Sequence, residues 1–395
     1  MQDKLIIADS LQSINKVLAN SHTKHDGFLG GRLGTIYYYF RYSAAMKDAA
    51  TEALARNLLD EYITELTENT LHLDPYSYCN GLAGFAYVMS ELHKMEWINI
   101  DIQEEFEDID EMLFNSAMSL IKRDHNDFLH GAFGIIHYFS GRAAEQSITT
   151  YIDMLIKMLT EKMVTFNEFT FIANLSLPSN QIREKINMSL SHGLNGFLLI
   201  LLKLLETPAA KQPIRLLIAH CSSALYKATV PAKLEVTQRS IFPASVHLGT
   251  NEKKYSHRLG WCYGDLGQLL LLHRLDQTGL LPKDYHPAIF DMAIATTERQ
   301  SYEETLVEDA SFCHGAAGLA QFYAGLKQVS DLPIYTDAYE YWIGETVRLL
   351  RLDLEKNNFL DNEHSILDGY TGIGLTLLHY ISPTENSWGE AVLIA

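Results

Sequence analysis

The stretch GWCYGDLGQLLLLHRL, residues 260–275, sets two kinds of chemistry side by side. A cysteine and a tyrosine stand immediately before Gly264, a second glycine follows at Gly267, and the chain then runs largely apolar for the length of a helix. A helix with few charges on any face is a buried one. The same Gly-x-x-Gly followed by an apolar run recurs at GRLG (31–34), GLAG (81–84), GAFG (131–134), GLNG (193–196), GAAG (315–318) and GYTG (369–372), so that these seven motifs hold 14 of the 24 glycines. The intervals between first glycines are 50, 50, 62, 71, 51 and 54 residues. Each interval has room for two helices and their connections, which is the signature of a repeat architecture.

Between the motifs lie stretches of a different character, such as TEALARNLLDEYITEL (51–66) and MAIATTERQSYEET (292–305), where apolar and charged residues alternate at helical spacing. These predict outer helices over buried inner ones. The fold expected is all-α: seven outer and seven inner helices closed into an α/α toroid, one domain over residues 1–395. An open superhelix needs polar caps at its ends, and residues 369–380 are as apolar as the other inner segments. The glycines are expected to allow positive φ and close backbone approach at each inner-helix mouth. The extra residues of the two long intervals fall in 166–191 and 230–260, both with prolines and strand-like or irregular composition, and read as loops on the lip of a cavity.

Composition narrows the function classes. With 47% hydrophobic, 11% aromatic and 20% charged residues the chain is globular, and its 395 residues suffice for a long continuous core. A formal charge of -18 without a Lys/Arg run excludes a nucleic-acid backbone or an anionic membrane surface as the main partner. The longest apolar runs, 197–202 and 269–272, are far below membrane-spanning length, and the first residues lack a sustained apolar core, so the reading is a soluble, cytoplasmic protein. Four cysteines, Cys79, Cys221, Cys262 and Cys313, make no disulfide framework.

Aligned on their first glycines, the repeats place the two preceding residues at equivalent points around one rim. Repeat five offers Cys262 and Tyr263, repeat six Cys313 and His314, repeat four Ser191 and His192, and repeat three Leu129 and His130 with Asp127 two residues earlier. Repeats five and six are ring neighbours, so two thiolates and an imidazole meet although 51 residues separate Cys262 from Cys313. Three such ligands make a zinc site with its fourth tetrahedral position open for water or substrate, the mark of a catalytic zinc. A substrate thiol held there is deprotonated. If the electrophile is an α,β-unsaturated amide, attack puts negative charge on its α-carbon and carbonyl oxygen. His192, one repeat from Cys262, then serves as proton donor, Arg258 as enolate stabiliser, and Asp127 as the group that orients His192 or helps carry the thiol proton. Cys221 lies outside any motif, and Cys79, in register, has no ring neighbour able to complete a site; both read as packing residues. His130 reads as a wall of the site, and His257 and His364 have no register argument.

The motifs GWCYGDLG (260–267), SFCHGAAGL (311–319), SHGLNGF (191–197) and LDGYTGIGL (367–375) resemble those of the lanthionine synthetase C-like family over essentially the whole chain. The resemblance implies an α/α toroid with one central zinc on Cys262, Cys313 and His314, an acid/base histidine at His192, a catalytic aspartate at Asp127, and an arginine and tyrosine at Arg258 and Tyr263. It implies a free-standing cyclase that joins peptide cysteines to dehydrated serine or threonine. Its partners would be a dehydrated precursor peptide, a separate dehydratase and a peptide exporter, at the edge of a membrane-associated complex. The even spacing of the first three repeats leaves little room for the small inserted domain found in some relatives. Other readings are a relative adding a small thiol such as glutathione, and a toroid that only binds peptide. A prenyltransferase is disfavoured because its ligand set resembles Asp, Cys and His.

Overall fold

A computed structural model describes residues 2–175, 183–229, 240–281, 283–383 and 388–394. The chain begins with helices α1 (Gln2–Asn20), α2 (Arg32–Met46), α3 (Ala49–Thr67), α4 (Leu82–Lys94), α5 (Ile102–Glu105), α6 (Glu107–Lys122), α7 (Ala132–Ser140) and α8 (Gln146–Lys162). Strands β1 (Val164–Phe166), β2 (Phe169–Phe171) and β3 (Lys185–Asn187) precede α9 (Leu194–Leu204) and α10 (Lys211–Thr229). Then come β4 (Ser245–His247), β5 (Glu252–Lys254), α11 (Asp265–Gln277), α12 (His286–Thr297), α13 (Tyr302–Thr305), α14 (Ala316–Val329), α15 (Pro333–Lys356) and α16 (Tyr370–Ile381).

Among the described residues the seven helices that follow the glycine motifs form a closed inner ring. Each packs on the next in the order α2, α4, α7, α9, α11, α14, α16, and α16 returns to α2. The outer helices α1, α3, α6, α8, α10, α12 and α15 lie against this ring, giving the expected α/α toroid. Burial follows the same division: every residue of Ala132–Ser140 in α7 is buried, whereas Ala49–Thr67 in α3 buries Ala55, Leu59 and Tyr62. The outer helices carry their own stop and start signals. Asp48 caps α3 by accepting from the Ala50 and Thr51 N–H groups, and α15 opens on Pro333 and ends at Asn357 in the left-handed region.

The mouths of the inner helices are joined by backbone. Two residues before each first glycine, the chain reaches its ring neighbour: Leu29 N–H donates to the Cys79 carbonyl at 2.9 Å, Cys79 to Leu129 at 2.9 Å, Cys313 to Leu367 at 2.7 Å and Leu367 to Leu29 at 3.3 Å. One residue earlier, Leu190 N–H donates to Cys262 at 3.2 Å and Trp261 to Cys313 at 2.9 Å. The step between repeats three and four is made by side chains, described below.

Three sequence expectations are corrected. First, positive φ is not the rule at the mouths: only Gly264 has it, at 152°, while the first glycines of the other six motifs have negative φ. What the motif needs is close approach. In repeat six a Cβ on Gly318 would stand 1.9 Å from the Phe312 carbonyl oxygen, which lies against the helix start. Second, 292–305 is not one helix, because α12 ends at Thr297 and a Ser301 capping box with Glu304 starts α13 separately. Third, the two long segments, read as loops, carry short sheets where they are described. Strands β1 and β2 pair as an antiparallel hairpin, and β3, β4 and β5 form a three-stranded antiparallel sheet. Residues 176–182 and 230–239 of those segments lie outside the described residues.

A last segment, 388–394, lies beneath the mouths. Tyr78 Oη donates to the Ala391 carbonyl at 3.0 Å and Trp261 Nε1 to the Val392 carbonyl at 2.9 Å, while Trp388 packs edge-on against Phe312, ring centroids 4.9 Å apart. Tyr78, Trp261 and Phe312 each stand three residues before a first glycine, so the segment braces the residues that precede Cys79, Cys262 and Cys313. Glu390 pairs with Lys203 of α9.

Two glycine substitutions should separate packing from flexibility. Gly318→Ala forces its Cβ onto a backbone oxygen and should lower stability by about 1–3 kcal/mol, the usual cost of overpacking. Gly344, exposed on α15 with nothing within 4 Å of its Cβ position, should be neutral or gain up to about 1 kcal/mol as Ala. Urea unfolding midpoints of the two variants check this; equal midpoints would show that the close approach at Gly318 is unimportant.

Candidate metal centre

The ring register brings together the residues that the sequence separates. Trp261 N–H on the Cys313 carbonyl aligns the mouths of α11 and α14, and the side chains that follow converge: Cys262 Sγ lies 3.1 Å and Cys313 Sγ 3.4 Å from His314 Nε2. All three donor atoms fall within 4.8 Å of one another. Tetrahedral zinc with bonds of about 2.3 Å to sulfur and 2.0–2.1 Å to nitrogen places such donors roughly 3.6 Å apart, so the cluster fits one ion. The donor chemistry fits too. The hydrogen bond with the Cys313 thiol, opposed by burial and aided by His314, pushes the Cys262 thiol down to about 5. The Cys313 thiol is pushed up by that same bond and by burial. This pair gives up its first proton readily, as thiolate ligation requires.

Of the three donors only the imidazole reaches a cavity. Both cysteines are buried, but the His314 side chain is 41% exposed and faces a cavity of about 510 Å³ lined by Arg258, Glu308, Asp309, His314, Asp353 and Asp368. Asp368 Oδ1 stands 3.9 Å from His314 Nδ1, beyond hydrogen-bond distance, and its charge favours the protonated imidazole. Sequence reasoning passed over Asp368, although it occupies the position before the first glycine of repeat seven, next to His314 in the ring.

Beside the cluster sits an acid–base pair. His192 Nδ1–H donates to Asp127 Oδ2 at 2.7 Å, and the second oxygen of Asp127 accepts the His130 backbone N–H at 2.9 Å. Asp127 is almost fully buried. Burial pulls the His192 imidazole down, but the hydrogen bond and charge of Asp127, with a smaller contribution from Cys262, outweigh it and hold His192 above its ordinary value. Burial likewise raises Asp127, and the contacts with His192 and His130 bring it below the usual carboxylate range. The His192 ring lies 6.4 Å from that of Tyr263 and 6.2 Å from that of His130, nearly parallel to the latter. Tyr263 in turn accepts a hydrogen bond from Asn187 Nδ2 at 3.2 Å. Asn187, at the end of β3, stands six residues before Gly193 as Asp309 stands before Gly315, and each accepts the backbone N–H two residues on; sequence reasoning passed over it.

The remaining residues of interest lie elsewhere. Burial pushes the Cys79 and Cys221 thiols up to about 12, as in the packed, unreactive state. His364 hydrogen-bonds Ser21 and Thr35 in the core between repeats seven and one. His257 stacks on Tyr255.

Seven glycine-mouthed inner helices around a Cys2His cluster define a class of protein, and comparison with known families agrees. The family model of lanthionine synthetase C-like proteins matches residues 2–117 and 26–393, and the chain belongs to that family. Among solved structures it is similar to one titled nisin cyclase, with a TM-score of 0.72 and 17% sequence identity over 97% of each chain. At that identity the likeness is one of fold. No curated protein sequence matches the chain.

The cluster predicts about one zinc per chain. Cys262→Ala, Cys313→Ala and His314→Ala should each lose it, since two protein donors are too few to hold the ion, whereas His192→Asn should keep it. Metal analysis of the purified variants decides; full zinc in Cys313→Ala would remove the site, and zinc lost with His192 would make that residue a ligand.

Proposed function

We propose that this protein is a zinc-dependent lanthipeptide cyclase, adding cysteine thiolates of a peptide to its own dehydroalanine and dehydrobutyrine residues to form lanthionine and methyllanthionine rings. The observation that carries the reading is that the helix mouths of the toroid bring together a three-donor cluster and, on the adjoining sector, a His192 hydrogen-bonded to a buried Asp127. Zinc held by Cys262, Cys313 and His314 supplies a Lewis acid that keeps a substrate thiol ionised at neutral pH.

The chain's own residues supply the rest. The peptide sulfur forms a bond to the β-carbon of the dehydrated residue, and the alkene electron pair moves to the α-carbon and carbonyl oxygen. Arg258, on the cavity wall beside His314, offers positive charge to that oxygen. His192, whose Nδ1 is committed to Asp127, delivers a proton from Nε2 to the α-carbon, and the thiol proton replaces it, so the reaction conserves mass. Asp127 keeps the imidazole oriented and charged, and Tyr263, anchored by Asn187, closes the side of His192 toward Cys262. Serine and threonine must be dehydrated before they reach this site. We assign that step to a separate dehydratase, and removal of the product to an exporter. No described helix is long and apolar enough to cross a membrane.

Two measurements test the reading. Incubated with an unmodified Cys/Ser/Thr peptide the enzyme should do nothing; with a pre-dehydrated one it should remove one alkylatable thiol per ring, and His192→Asn should slow this about 10²- to 10⁴-fold. If peptide thiols persist while a small thiol such as glutathione adds, the small-thiol reading replaces this one; if neither reacts, the toroid only binds peptide. The second is a pH profile. The acid form of His192 is required, so the rate holds below its pKa and is lost above it. Because Asp127 holds that pKa up, Asp127→Asn should move the alkaline limb of kcat to lower pH, and an unmoved limb would remove His192 as the acid.

A further inference from the structure

The long interval between repeats three and four contributes an asparagine to the pair. Asn174 Nδ2 donates to the backbone carbonyl of His192 at 2.7 Å, and Asn174 Oδ1 accepts the backbone N–H of Asn126, the residue before Asp127, at 3.0 Å. Around it the segment is laced to repeat three. Asn126 Nδ2 donates to the Ala173 carbonyl at 2.8 Å, and the Leu175 N–H donates to the Asp124 carbonyl at 2.8 Å. A single side chain thus grips the backbone of both repeats at the residues that bear the acid and the base. It does so at the step of the ring where the described mouths exchange no backbone hydrogen bond of the kind that joins Cys79 to Leu129 or Trp261 to Cys313.

We propose that Asn174 is a positioning residue for the Asp127–His192 pair, a role that rests on the reading of His192 as the proton donor. The His192 loop is also held to repeat five, through Leu190 N–H and Ser191 Oγ on the Cys262 carbonyl, but those bonds do not reach repeat three. The His192 N–H donates to Ser189 Oγ at 2.9 Å, and Asp127 accepts from its own loop at His130. Only a brace that spans the two loops sets the distance between them, and an amide does this with one donor and one acceptor fixed on a planar group. Loss of the brace lets the mouths part. The imidazole then loses the carboxylate that selects its Nδ1–H tautomer, since the partner of one ring nitrogen decides which nitrogen carries the proton. Besides Asp127, the groups facing His192 from neighbouring loops include His130, Cys262 and Tyr263.

The test reads tautomer and rate separately, on full-length zinc-loaded protein. In protein carrying 15N-histidine, the His192 signals are assigned by their loss in His192→Asn. The wild type should show the neutral ring protonated at Nδ1, and Asn174→Ala should shift it toward the Nε2–H form, with zinc content unchanged. A misplacement of about 1 Å of a catalytic group costs up to about 10²-fold. Asn174→Ala should therefore lower kcat within that range with KM nearly constant, and add no further loss in an Asp127→Asn background. Asn174→Asp retains the acceptor for Asn126 and loses the donor to His192, so it should fall between wild type and Ala; it also serves if the Ala variant does not fold. Wild-type His192 signals in a folded Asn174 variant, or a full additional rate loss in the Asp127→Asn background, would overturn the proposal. If the tautomer shifts as expected but no thioether forms with any variant or wild type, the positioning role stands and the cyclase reading falls.

Discussion

The structure depends on the hydrogen bonds that pass from one helix mouth to the next around the ring. Each is worth only about 1 kcal/mol net, and the apolar packing of seven inner helices contributes far more to stability. Their importance is geometric. By tying the residue two or three before the first glycine to its ring neighbour at every step but that from repeat three to repeat four, they place residues from distant parts of the chain on one circle. Cys262 and Cys313 become neighbours because Trp261 and Cys313 share a bond of 2.9 Å. The glycines follow from the same constraint: in six of the seven repeats a carbonyl oxygen of the preceding turn lies against the second glycine, so that at Gly318 there is no room for a methyl group, whereas Gly267 meets only side-chain atoms, the nearest at 3.4 Å.

This arrangement separates two kinds of site. Where the ring is bonded through backbone, between repeats five and six, two buried cysteines and a part-exposed histidine form a compact donor set. Where the mouths are joined by side chains, between repeats three and four, a carboxylate and an imidazole face each other and hold a proton between them. The two lie on adjoining sectors, with Tyr263 between His192 and Cys262. Beneath them the 388–394 segment fills the ring and supports Trp261 and Phe312, the residues immediately before the two cysteines. An open centre would leave those large side chains, and so the thiols that follow them, without a floor.

Much of this was legible in the sequence because the repeat gives a register, and register converts sequence position into angular position. GWCYG and FCHG could be placed side by side, and His192 and Asp127 in the next sectors, without knowing any distance. The fold was legible for the same reason. What escaped reading lacks that register or depends on backbone detail. Asn174 lies in an irregular interval where no period assigns it a place. The break between α12 and α13 turns on a local capping box that competes with an otherwise continuous amphipathic pattern. The φ values at the mouths come from the bonds between repeats, which no single repeat displays. Asp368 was readable in principle, standing in register beside His314.

The central claim is that ring closure creates a metal site of three protein donors with one position open to a thiol. X-ray absorption at the zinc edge of the purified protein tests it most directly. The account predicts two sulfurs at about 2.3 Å and light donors at about 2.0–2.1 Å in the resting protein, and a third sulfur in place of one light donor when a dehydrated, cysteine-containing peptide is added. A spectrum that keeps the same donors with the peptide present would mean a closed, structural site, and would contradict the account.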